Sequence, residues 1–244
     1  RCIATSLSYN SGTDKTTINT TGDRLVNETI TSAEISLSDQ EAVYNAVVDP
    51  PFVYDVDGNK YSTVRIGRQL WMAQNLRVTH KPNGEALTSY LYPGADEEKV
   101  GRLYTWDVMM NGDGEGGRGI APEGWHIPTD AEWKELERYL GMKQSEVDAE
   151  GCRGTNEGKM LKSLDKLGDT ETNGLNTVGF NVLLAGLRNT DGNYSSLSSS
   201  THLWSSTESG GNAAWRRYLC YDRSDIDRYT DPKAYGFSVR CIKD

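Results

Sequence analysis

The stretch Gly124-Trp-His-Ile-Pro-Thr-Asp-Ala-Glu-Trp133 carries the clearest local instruction in the chain. Thr129 followed three residues later by Glu132 has the spacing of a capping box, in which hydroxyl and carboxylate each satisfy a backbone N–H that a helix start leaves bare. Trp133, Leu136, Tyr139 and Leu140 then recur at helical spacing up to Gly141, which predicts a helix over 129–141 with one apolar face. A second stripe of Met160, Leu161 and Leu164 predicts a helix from Asn156 to Leu167, ended by Gly168.

Outward from these helices the pattern is one of short strands and tight turns. Phe52-Val53-Tyr54, Asp57-Gly58-Asn59 and Tyr61 to Ile66 read as a hairpin whose Asp-Gly pair supplies the positive φ angles of a primed turn. Gly67-Arg68-Gln69 turns the chain again into Leu70-Trp71-Met72. Phe180 to Leu184 follow, then a long polar stretch with serines at 195, 196, 198, 199 and 200, and a strand-like C-terminus. Two helices among short antiparallel strands and long loops make the fold class α+β. Residues 1–51 differ in composition and form an N-terminal extension of strands and a short helix, the helix signalled by Ser38, Glu41 and the stripe Ala42, Val43, Ala46 and Val47. Pro50-Pro51 marks the boundary, and 52–244 form one domain.

The 244 residues carry a net charge of -9, which repels a phosphate backbone and sets nucleic acid aside. Gly numbers 25 and Tyr 13 against 36% hydrophobic residues, a balance suited to turns and ordered loops rather than a helical bundle. No run approaches the roughly 20 apolar residues of a transmembrane helix. If the chain is exported, to the extracellular space or the outer-membrane surface, its signal has been removed before Arg1. The 4 cysteines, Cys2, Cys152, Cys220 and Cys241, lie too far apart for a CxxC metal or redox motif, leaving disulfides or buried thiols.

Several blocks, in order, carry a family resemblance: Tyr61-Ser-Thr-Val-Arg-Ile-Gly-Arg-Gln-Leu-Trp-Met-Ala-Gln-Asn-Leu76, Gly101-Arg-Leu-Tyr-Thr-Trp106, Gly124 to Trp133, Leu203-Trp-Ser-Ser-Thr-Glu208 and Gly236-Phe-Ser-Val-Arg-Cys241. Together they resemble the Fibrobacter succinogenes major paralogous domain, across residues 52–244. The resemblance implies a C-type-lectin-like fold of two helices, short twisted antiparallel sheets and long loops, in exported or surface-anchored (lipoprotein) proteins of Bacteroidetes and Fibrobacteres. It implies a relationship to formylglycine-generating enzymes and to the variable proteins of diversity-generating retroelements. It does not fix a ligand, because one fold hosts many functions. Relatives carry a cysteine where this chain has Ala121, so the resemblance, which brings the chain ends together, implies the substitute pairing Cys2–Cys241 and leaves Cys152–Cys220.

Catalytic chemistry finds little support in the residues. The copper chemistry of formylglycine-generating enzymes needs a close cysteine pair, and Cys220 and Cys241 are far apart in strand-like sequence. Only 3 histidines occur, His80, His126 and His202, and His126 inside its family block reads as a structural residue. No cofactor is expected. Asn111, Asp113 and Glu115 have the alternate spacing of a calcium loop but lack a full ligand set; the competing reading is a glycine-rich turn.

The stretch that stands apart is Trp215 to Tyr229, where aromatic, basic and acidic residues crowd two strands and a turn, the composition of interface hot spots. With a period of two, Trp215, Arg217, Leu219 and Tyr221 share one face and Arg216, Tyr218 and Cys220 the other. The candidate ligand residues are Trp215, Arg217, Tyr221, Arg223, Asp225, Asp227 and Tyr229. A solvated sheet face with cross-strand charge pairs is the competing reading. The functional expectation is a non-catalytic surface module that binds an extracellular glycan or protein. A structural subunit of a surface appendage is the alternative, and an enzyme the third.

Overall fold

The computed structural model describes residues 3–10, 15–21, 28–31, 49–165, 167 and 172–244. The chain divides into two compact units, Arg1–Pro50 and Pro51–Asp244. In the first, β1 (Ile3–Asn10), β2 (Lys15–Thr21) and β3 (Glu28–Thr31) form an antiparallel sheet in chain order, with a register shift between Ala4 and Ser6. The helix expected over Ser38 to Val47 lies outside the described residues.

The second unit runs β4 (Phe52–Tyr54), β5 (Lys60–Ile66), β6 (Gln69–Met72), α1 (Glu97–Val100), α2 (Trp106–Met110), β7 (Trp125–His126), α3 (Asp130–Tyr139), α4 (Gln144–Val147), β8 (Gly151–Arg153), α5 (Glu157–Leu161), β9 (Ala185–Arg188), β10 (Tyr194–Leu197), β11 (Ser200–Gly210), β12 (Ala213–Cys220), β13 (Ile226–Pro232) and β14 (Ile242–Lys243). It is α+β, with short helices and two mainly antiparallel sheets ordered β4-β5-β6-β14-β7 and β10-β9-β11-β12-β13-β8. A parallel pairing joins β9 to β11 at Gly186 and Thr201.

The capping box forms as written in the sequence: Glu132 N–H donates to Thr129 Oγ1 at 3.2 Å, and Thr129 N–H donates to Glu132 Oε2 at 2.8 Å. It aims α3 so that Trp133 and Leu136 sink into the core beside Trp71, whose ring lies 4.8 Å from that of Trp133. A second apolar centre gathers Tyr104, Trp106, Trp204 and Phe237. Trp204 and Trp106 donate their indole N–H groups to Tyr104 O and Ser205 O, so these large rings are buried without an orphaned donor.

Three expectations need correction. The hairpin turn spans Asp55 to Gly58, closed by Gly58 N–H to Asp55 O at 3.0 Å, and only Gly58 has a positive φ, of 80°. It is held by the Asp55 carboxylate, which accepts from Asp57 N, Asn59 N and the Tyr61 hydroxyl, so a primed Asp-Gly turn is not needed. The second helix stops at Leu161 rather than Leu167. Lys162 turns extended and Ser163 N–H donates to Val182 O, so the chain leaves the helix to pair with a distant segment. Short helices α1, α2 and α4 join the two that were expected.

Candidate ligand-binding face

Strand alternation decides which residues of β12 and β13 meet water. The register pairs Arg216 with Tyr229, Arg217 with Arg228 and Tyr218 with Asp227. Arg217, Leu219, Ile226 and Arg228 turn inward over α3, while Arg216, Tyr218, Asp227, Tyr229 and Asp231 share the opposite face.

The inward face is a buried charge network. Arg217 donates to Asp130 Oδ1 at 2.7 Å and to Glu137, and Arg228 donates to both Asp130 oxygens at 2.8 and 2.7 Å. Arg153 Nη1 and Nη2 grip the two Glu137 oxygens at 2.8 and 2.9 Å. Burial pushes the Asp130 carboxyl upward, but its bond to Arg228 and the charge of Arg217 outweigh that and leave it well below the usual carboxylate range. Arg217, expected to face a ligand, is therefore a core residue, 1% exposed. Trp215 is half-buried on the same side and carries the Arg228 guanidinium 3.5 Å from its ring centre, so it packs the network.

On the outer face Arg216 Nε donates to Asp231 at 2.7 Å and Nη1 to Asp227. Tyr218 lies against His202, ring centres 4.9 Å apart, and His202 stacks on Phe237 at 4.6 Å. Burial, with the charge of Arg216, pushes His202 down to about 3, so it is a neutral packing ring rather than a base near neutrality. Tyr229 is 49% and Tyr221 39% exposed, and Arg223 holds Asp225 in a two-point grip at 3.0 and 2.7 Å.

The turn between the strands is fastened from below. Lys162, fully buried, donates to Cys220 O at 2.5 Å, Arg223 O at 2.6 Å and the Asn173 side chain. Gly158 N–H donates to Ser224 O, and Asn173 N–H to Tyr221 O. Of the residues singled out in the sequence, Arg223, Asp225, Asp227 and Tyr229 thus border this outer region, Tyr221 is exposed in the turn just past β12, and Trp215 and Arg217 belong to the inner face. Sequence reasoning left out Arg216, Tyr218 and Asp231, although period-two counting already put Arg216 and Tyr218 on one face.

The remaining candidates go elsewhere. Asp113 accepts from Gly119 N at 2.7 Å, Glu115 from Thr207 Oγ1 at 2.5 Å, and Asn111 caps α2 with φ 51°, so the three hold a loop. Among the described residues no group of three His, Cys, Asp or Glu side chains is placed to hold a metal ion. His80 bonds Asp57 at 2.6 Å, and His126 is gripped by Glu132 at 2.8 Å and Asp244 at 2.7 Å.

Cys152 and Cys220 are separate thiols, which corrects the implied bridge. β13 runs between β8 and β12, so two strand spacings of about 4.8 Å separate their backbones, beyond disulfide reach. Each thiol donates instead to an aspartate, Cys152 to Asp227 and Cys220 to Asp222. Cys241 is a buried thiol, and its proposed partner Cys2 lies outside the described residues.

Among the described residues no helix is long and apolar enough to cross a membrane. Comparison with curated proteins and with solved structures yields no match. The family described as the Fibrobacter succinogenes major domain matches residues 64–243, and the chain belongs to it.

Proposed function

We propose that this member of the Fibrobacter succinogenes major domain family is an extracellular or surface-displayed binding module on a C-type-lectin-like scaffold. It takes a glycan or a protein on the outer face of β12 and β13 and performs no chemistry on it. The observation that carries the reading is the exposure of Tyr221 and Tyr229 beside Arg/Asp groups already fixed in ion pairs. Aromatic rings stack on sugar faces or fill partner pockets, and fixed polar groups bind with little ordering cost.

A second reading, a structural subunit of a surface appendage, draws on the separate three-stranded N-terminal unit. The whole chain, labelled and applied to arrays of glycans and of surface proteins, separates the two. Saturable binding that Tyr229→Ala weakens supports the module. Polymers that vanish when residues 1–50 are removed, with no array signal, support the subunit and overturn the module.

A further inference from the structure

A cavity of about 290 Å³ lies in the larger unit away from β12 and β13, bounded by Gln74, Glu98, Asp165, Asn181, Leu183 and Arg240. Arg240 precedes β14 and is 1% exposed. Its guanidinium donates from Nε to Asn75 Oδ1 at 2.9 Å, from Nη1 to Phe180 O and from Nη2 to Asn181 O at 3.1 Å, and it packs 4.5 Å from the Phe180 ring centre. All of these acceptors are neutral, and among the described residues no carboxylate pairs with it. A guanidinium has five N–H donors, so each terminal nitrogen keeps one to spare. A buried cation without a counter-ion is unfavourable, and burial pushes Arg240 down to about 9.

The mouth has the opposite sign. Its exposed lining residues are three carboxylates, Asp96, Glu98 and Asp165, and one cation, Lys99, so the mouth is net negative; Lys99 lies 3.9 Å from Asp96, while Glu98 and Asp165 have no ion-pair partner among the described residues. A simple anion would be repelled at this mouth, and a simple cation would meet Arg240 at the floor. A molecule bearing both signs satisfies both ends. The volume lies just below the roughly 300–1,000 Å³ of drug-sized pockets, which suits a compact metabolite and excludes an oligosaccharide. We propose that this cavity binds a free α-amino acid, its carboxylate directed inward to the spare Arg240 N–H groups and its ammonium outward to Glu98 and Asp165.

The site is built from different elements than the β12–β13 face, so either proposal can stand alone. Isothermal titration of the whole chain with each of the common amino acids tests it, alongside their N-acetyl and C-amide derivatives. At least one amino acid should bind, and blocking either end should weaken it about tenfold or more, the worth of one charged hydrogen bond. The double variant Glu98→Gln/Asp165→Asn should weaken it similarly with an unchanged melting temperature. Arg240→Ala removes three core hydrogen bonds, so the blocked ligands and the mouth variant, which spare the core, decide the outcome. Failure of every amino acid to bind at millimolar concentration, equal binding of the blocked forms, or no effect of the mouth variant would each overturn the proposal.

Discussion

Arg217 Nη1 lies 2.7 Å from Asp130 Oδ1 in the interior, one residue along β12 from Arg216, which faces outward to Asp231. Adjacent arginines on one strand thus do different work. Removing one partner of a buried pair leaves the other charge uncompensated, so Arg217→Ala and Asp130→Ala should each lose about 3–5 kcal/mol in denaturant unfolding. Tyr229→Ala, at an exposed site, should stay within about 0.5 kcal/mol. Similar losses for Arg217→Ala and Tyr229→Ala would contradict this division.

The same network sets acid behaviour. The Asp130 carboxyl is depressed in the fold, so its stabilisation is complete above the unfolded value of about 3.9 and drains away as pH falls below it. Asp130→Asn should be less stable than the parent at neutral pH and lose less on acidification. A parallel acid decline in both proteins would contradict the assignment.

His126 acts at the other end of the scale. The Glu132 carboxylate raises it, burial opposes, and Asp244 adds to the rise, so the folded value exceeds the unfolded one of about 6.5. The stabilisation from a raised histidine is whole below about 6.5 and is lost as pH climbs through the folded value. Melting temperatures across that range should fall less steeply in His126→Gln than in the parent. Identical slopes would remove His126 from the account.

Among the described thiols, Cys152 is exposed and Cys241 buried. Maleimide labelling of the native protein should mark Cys152 first and reach Cys241 only after unfolding, and a non-reducing peptide map should show no Cys152–Cys220 bridge. Such a bridge would require β13 to leave its place between them.

What the sequence made legible was local. The capping box of Thr129 and Glu132 needs only neighbours three residues apart, and α3 appears where it was expected. The end of α5 was not legible, because Lys162 is drawn to oxygens of Asn173, Cys220 and Arg223, all distant in sequence. Alternation along β12 sorted residues into two faces but could not say which was wet; that is decided by Asp130 and Glu137 on α3. The expected Cys152–Cys220 bridge failed for a related reason, since sheet order, which puts β13 between the two cysteines, is not written locally.

The most direct test of the ligand face compares Tyr221→Ala/Tyr229→Ala with Tyr54→Ala/Tyr139→Ala, four tyrosines that are all exposed but differ in location. Affinity for the ligand that the arrays identify is measured by titration of the whole chain. The account predicts that the first pair weakens binding about tenfold or more, at least about 1.4 kcal/mol, with an unchanged melting temperature, while the second pair leaves binding intact. Full affinity in Tyr221→Ala/Tyr229→Ala, or equal loss in both double variants, would contradict it.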